Sequence, residues 1–257
     1  MSPSSILQKS FISAGVLVAL TGCMTINAKS LDYKETKTLT LETQDIELFD
    51  LETAAGFLVI EGTTSSNKIE VTADIEAYDE EIKLTLVKKG NRAVLVADAS
   101  YHKRININWG NSPKIDLTIS VPSHLKLKIK DGSGSIQVSN IGKDVEIDDG
   151  SGSLKIDAIG GNLEIEDGSG STTISNVKGN IKVNDGSGSL NIQHVGGTVN
   201  IEDGSGSMEV FDIGGLVTID DGSGSINLKN LRNGLTIEEE GSGGLHMSEI
   251  KGPVSIK

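Results

Sequence analysis

The segment Asp-Gly-Ser-Gly-Ser recurs six times at an unvarying interval of 18 residues, and that interval restricts what the chain can fold into more than any other feature. The copies begin at Asp131, Asp149, Asp167, Asp185, Asp203 and Asp221. An altered seventh copy, Glu240-Gly241-Ser242-Gly243-Gly244, arrives one residue late. A fixed period of this kind marks a repeat architecture. The intervening residues hold register as well. The first unit places Ile136, Val138, Ile141, Val145 and Ile147 where the second has Leu154, Ile156, Ile159, Leu163 and Ile165. The third differs at one apolar position, where Thr172 stands. Each unit therefore reads as two short strands of alternating polarity, joined by a turn on each side. Branched aliphatics at these positions suit strands and disfavour helix.

One such unit cannot bury a face alone. Stacked units can, because each strand pairs with its equivalent about 4.8 Å away and the inward side chains form aliphatic columns. A propeller blade needs about 40 residues or more, and leucine-rich repeats follow another consensus. The expected fold class is all-β: a parallel β-solenoid with 18-residue coils, two short strands per coil and irregular N-terminal coils. Seven coils would span roughly 30 Å. At the far turn, Gly160-Gly161-Asn162 and Gly196-Gly197-Thr198 are expected to supply positive φ. At the near turn, each aspartate can accept a hydrogen bond from a backbone amide two residues on.

The N-terminus reads as a targeting segment. A short polar stretch with one lysine precedes a mostly apolar run, Ile12 to Leu20, which ends in Leu20-Thr21-Gly22-Cys23. The run is well below the roughly 20 residues needed to span a bilayer, and its layout is that of a secretory signal. Leu-Thr-Gly-Cys resembles the bacterial lipobox. The resemblance implies that Cys23, the chain's one cysteine, is acylated and becomes the first mature residue. Several acyl chains hold a membrane where one does so only marginally. Met24, in place of an aspartate, points by the same resemblance to the outer membrane. The expected organisation is a lipoprotein signal peptide over 1–22, an acylated cysteine and tether over 23–37, an irregular β region and cap over 38–130, and a seven-coil solenoid over 131–257.

Before the repeats, strand candidates run at Thr38–Leu41, Ile46–Leu51, Phe57–Ile60, Lys68–Ile75, Glu81–Lys88, Arg92–Ala97, Arg104–Trp109, Lys114–Val121 and Leu125–Lys130. The simplest arrangement makes them first windings that then regularise; a small separate β domain is the rival. Tyr101, His102 and Trp109 suggest a local surface cluster. At the other end little follows Val254 and Ile256, and uncovered sheet edges invite pairing with another chain. Self-association or partner docking is expected there.

Chemistry is harder to find. His102, His124, His194 and His246 have no metal-ligand spacing, and the serines belong to turns. An 18-residue coil leaves no residues for the groove walls of a polysaccharide-cleaving enzyme, so a carbohydrate-active enzyme is a minor alternative. The acidic column Asp131, Asp149, Asp167, Asp185, Asp203 and Asp221 must be compensated by backbone amides or by cations. The calcium-binding β-roll places its aspartate after the glycines, where this chain has Leu154, Leu190 or Ile226. Turn capping is therefore favoured over structural calcium, and no cofactor is expected. A second acidic column is expected through Asp148, Glu166, Glu202, Asp220 and Glu238. A net charge of -13, most of it after Lys130, excludes nucleic acid as a partner class.

The Asp-Gly-Ser-Gly-Ser units with Gly-Gly or Gly-Asn halfway resemble a bacterial family of adhesin-like β-solenoids of unknown function. The likeness is strong over 131–257 and weaker over 39–130. It implies a solenoid, no enzymatic activity, an adhesive or structural role in the envelope, and contact with an envelope protein or a surface glycan. An accessory lipoprotein that docks one envelope partner is the alternative.

Overall fold

Alternation decides which side chains meet. In Val145–Asp149 every second residue faces inward, and the same parity repeats in each later coil. The computed structural model describes residues 30–100 and 112–257. Two eleven-stranded sheets run the length of the molecule and face one another across this interior. The regular part is built from strand pairs, one strand in each sheet. These are β8 (Lys126–Asp131) and β9 (Gly134–Ile141), β10 (Val145–Asp149) and β11 (Gly152–Ile159), and β12 (Leu163–Asp167) and β13 (Gly170–Val177). Next come β14 (Ile181–Asp185) with β15 (Gly188–Val195), β16 (Val199–Asp203) with β17 (Gly206–Ile213), and β18 (Val217–Asp221) with β19 (Gly224–Leu231). Pairing is parallel and in register at 18-residue offsets, as in Ile156↔Ile174↔Ile192↔Val210. The aliphatic columns so formed are almost wholly buried.

The last coil, β20 (Leu235–Glu240), β21 (Leu245–Ile250) and β22 (Val254–Ile256), carries the extra residue. The register slips by one after Ile219, so Asp220 pairs with Glu239 and Asp221 with Glu240. The second acidic column thus continues through Glu239 and not through Glu238. A bulge absorbs the insertion, as an unpaired residue in one strand does.

The N-terminal coils depart from simple winding. The coil β2 (Leu48–Thr53) and β3 (Gly56–Thr63) packs in parallel on β8 and β9. The next coil in sequence lies on its outer side, with β6 (Arg92–Asp98) on β2 and β7 (Lys114–Pro122) on β3. Outermost strands run antiparallel: β4 (Lys68–Ala77) on β7, β5 (Lys83–Lys89) on β6, and β1 (Tyr33–Glu42) on β4. The irregularity expected of these coils takes the form of antiparallel pairing, because the links at residues 64–67 and 90–91 are too short for a parallel crossover within one sheet, which needs a dozen or more residues. Because β4 lies in the sheet of β3 and β6 in that of β5, these links reverse the chain, whereas equally short links in the regular coils, such as residues 142–144, cross to the facing sheet.

The stretch through Lys37, expected to be a tether, is strand from Tyr33 on. Tyr33–Lys37 belongs to β1, held by Lys34 to Glu76 at 2.9 Å and by Thr36 Oγ1 donating to Asp74 at 2.6 Å. Cys23, the rest of the signal segment, the strand candidate Arg104–Trp109 and the cluster Tyr101, His102 and Trp109 lie outside the described residues.

The turns use glycine differently from expectation. At the last far turns Gly234 and Gly252 have the expected positive φ, at 102° and 92°, but no far-turn glycine from Gly142 to Gly215 does. Positive φ falls instead on the residue before the last inward aliphatic of the longer strand: Asn140, Ala158, Asn176, His194, Asp212 and Asn230, at 53–61°. Asparagine and aspartate tolerate this left-handed conformation best. It lets one residue be skipped in the ladder, so that Ile159 pairs with Val177 and points inward.

Candidate functional site

The inward parity of β10, β12, β14, β16 and β18 has a chemical consequence. In Val145-Glu146-Ile147-Asp148-Asp149 the aspartate shares the face of the two aliphatics, so it lies inside the molecule. Asp131, Asp149, Asp167, Asp185, Asp203 and Asp221 are only 1–6% exposed. They stand opposite one another in the parallel register, Asp131↔Asp149↔Asp167↔Asp185↔Asp203↔Asp221. The sequence reading placed them at the turn and missed the burial. The signal was available, because each is two residues beyond a buried aliphatic and strand side chains alternate.

Four of the six carboxylates are only half satisfied. The amides of Ser151, Ser169, Ser187 and Ser205 donate to Oδ1 of Asp149, Asp167, Asp185 and Asp203 at 3.0–3.3 Å. Two hydroxyls add to this. Thr172 Oγ1 donates to Asp167 Oδ2 at 3.0 Å, and Thr53 Oγ1, one coil before the column, donates to Asp131 Oδ1 at 2.5 Å. The irregular residue of the third coil therefore serves its own aspartate. One buried oxygen accepts no hydrogen bond in each of Asp131, Asp149, Asp185 and Asp221. Burial pushes the carboxyls of Asp149 and Asp185 up to about 6, with the neighbouring aspartates adding to the effect. Asp131, Asp203 and Asp221 are raised by burial as well.

The glycines of the near turn make this packing feasible. Gly188 has φ +146°, and a Cβ there would stand 1.7 Å from the carbonyl oxygen of Gly170. The same close approach recurs in each coil, so the second glycine of every copy has no room for a side chain.

The outer surface offers ladders and shallow grooves. On one sheet Ser135, Ser153, Ser171, Ser189, Ser207 and Ser225 form an exposed row, which the exposed Phe57 continues on β3. The other sheet carries basic β8, whose Lys126, Lys128 and Lys130 pair with Asp144, Glu146 and Asp148 of the next coil. Beyond it runs the acidic row Glu166, Glu202, Asp220 and Glu239, broken by Asn184. A shallow groove of about 560 Å³ follows the start of this sheet, between Lys128, Glu146, Glu164 and Lys182. At the far turn Asp144, Asn162 and Asn180 each accept the amide of the residue one coil on, at 2.9–3.0 Å.

His194 lies in the left-handed column, edge-on to Phe211 and 3.3 Å from Asp212. Among the described residues no other histidine is grouped with it. Among the described residues no three His, Cys, Asp or Glu side chains are grouped so as to hold a metal ion, and no helix is long and apolar enough to cross a membrane. At the C-terminal end the columns open to solvent, with Met247, Val254 and Ile256 at 36, 48 and 46% exposed.

Several solved structures are similar to the chain at low identity. A "putative lipid binding protein" from Parabacteroides distasonis is 17% identical, with a TM-score of 0.47 over 86% of this chain and 96% of that one. A "putative adhesin" from Bacteroides fragilis is 14% identical, with a TM-score of 0.42 over 88% and 97%. A "putative cell adhesion protein" from Clostridium sporogenes is 11% identical, with a TM-score of 0.40 over 88% and 99%. No curated protein matches the chain. The family described as Toastrack DUF4097 matches residues 38–249, which takes in the antiparallel cap and nearly all the coils, and the chain belongs to that family.

Proposed function

We propose that the protein is a non-enzymatic lipoprotein of the bacterial envelope, tethered to the outer membrane through acylated Cys23, that presents its outer ladders to a surface protein or glycan. The observation that carries this reading is the register of the exposed rows. Serines on one sheet and charged side chains on the other repeat at strand spacing along the stack, so the surface suits repeated contacts with an extended partner. The leader and Cys23 support the anchor. Labelled palmitate should enter the wild-type chain and fail to enter Cys23→Ser. Proximity labelling in the native envelope should then mark several surface polymers. Labelling confined to cytoplasmic proteins would refute the envelope assignment.

The open C-terminal coil favours a second reading, an accessory lipoprotein docking one partner, or a second copy, through Met247, Val254 and Ile256. Exposed apolar side chains on a sheet edge are natural pairing surfaces. A single stoichiometric protein in the labelling experiment, lost on Val254→Lys, would select it.

A further inference from the structure

A column of carboxylates inside an aliphatic stack poses a physical problem that neither surface role addresses. Asp149 faces Asp131 on β8 and Asp167 on β12. Asp185 faces Asp167 on β12 and Asp203 on β16. Outward-facing Asp148 and Asp220, beside Asp149 and Asp221 in sequence, add further negative charge. The buried polar residues among those described are aspartates and the threonines Thr43 and Thr172; no lysine, arginine or histidine is buried. Adjacent members are about 4.8 Å apart along the sheet. Like charges at that distance, shielded from water and lacking cations, cannot all remain ionised. Asp131, Asp149, Asp185 and Asp221 nevertheless each keep a buried oxygen with no donor. A proton on one carboxyl supplies the donor that the next one lacks, and it removes the repulsion. No three of these residues are grouped so as to hold a metal ion.

We propose that the interior aspartate column is a proton-binding array, in which neutral carboxyls donate to carboxylates of adjacent coils, and that the solenoid becomes more stable as the surroundings turn mildly acidic.

The direction follows from linkage. An aspartate whose carboxyl is raised on folding binds protons more readily folded than unfolded. Its contribution is full below the unfolded value, near 4, and is lost as pH rises through about 6. A rise from near 4 to about 6 corresponds to roughly a hundredfold in the folding equilibrium for each group. Exposed acids act in another range. The lysine beside Glu76 and the hydroxyl and amide beside Asp157 lower those carboxyls, so their contribution is lost only as pH falls below the ordinary carboxylate range.

The test is denaturant unfolding of the full chain between about pH 7.5 and about pH 5. Wild type should change little above about pH 6.5 and gain stability from there down to about pH 5. Asp149→Asn with Asp185→Asn should be more stable than wild type at the upper pH and show a much flatter profile. Glu166→Gln with Glu202→Gln removes as much charge from the surface and should keep the slope, which separates the interior column from general repulsion. A flat or inverted wild-type profile, or an unchanged slope in the asparagine variant, would overturn the proposal. So would recovery of neutral-pH stability on adding calcium alone, since the column would then hold a cation. Should the asparagine variant not fold, infrared spectra of the wild type decide. A carboxylic-acid carbonyl band that persists at about pH 6 in the folded protein and vanishes on unfolding supports the array. Its absence refutes it.

Discussion

Single residues set the geometry of the coil, and their tolerance is uneven. Gly188 combines a φ of +146° with a backbone oxygen where a Cβ would lie. Gly188→Ala should therefore cost about 3 kcal/mol or more in urea unfolding. Ser187→Ala, one residue earlier, keeps the amide that caps Asp185 and should change stability by less than about 0.5 kcal/mol. Ala158 occupies the left-handed column with φ 57°, where neighbouring coils use Asn140 and Asn176. A left-handed alanine costs roughly 1 kcal/mol, so Ala158→Asn is expected to stabilise the protein by about that amount. Equal stability of the two forms would mean that the corner carries no strain.

At the scale of strands and turns, most of the architecture was legible. Period two between unvarying turns identified the two strands of each coil, and Ile156, Ile174 and Ile192 meet in the column their spacing implied. The antiparallel cap was not legible, because alternation in Lys68–Ala77 marks a strand without giving its direction; the short link at residues 64–67 sets that. The inward aspartates were legible in principle from parity. They were overlooked because a charged residue beside a Gly-Ser-Gly turn ordinarily faces water. Thr172 shows how one coil adapts, since its hydroxyl reaches Asp167 at 3.0 Å. Thr172→Val preserves shape but removes that donor. It should destabilise by about 1–3 kcal/mol, whereas the same valine at Leu190, which makes no polar contact, should cost only its lost volume. Urea midpoints with unchanged slopes would establish the comparison.

Across the whole molecule, two continuous sheets make neighbouring coils depend on one another. Eleven strands at about 4.8 Å give a stack close to 48 Å long, with the antiparallel cap at one end and exposed aliphatics at the other. Each coil touches chiefly its neighbours, so a lesion should spread by interface loss and fade with distance. Ile192 is the most direct place to test this. It is fully buried in β15, between Ile174 and Val210. Amide hydrogen exchange of Ile192→Asp should show protection falling together across β13, β15 and β17 and their partner strands in the other sheet, while the N-terminal cap stays protected. Loss of protection confined to β15 would contradict a shared interior.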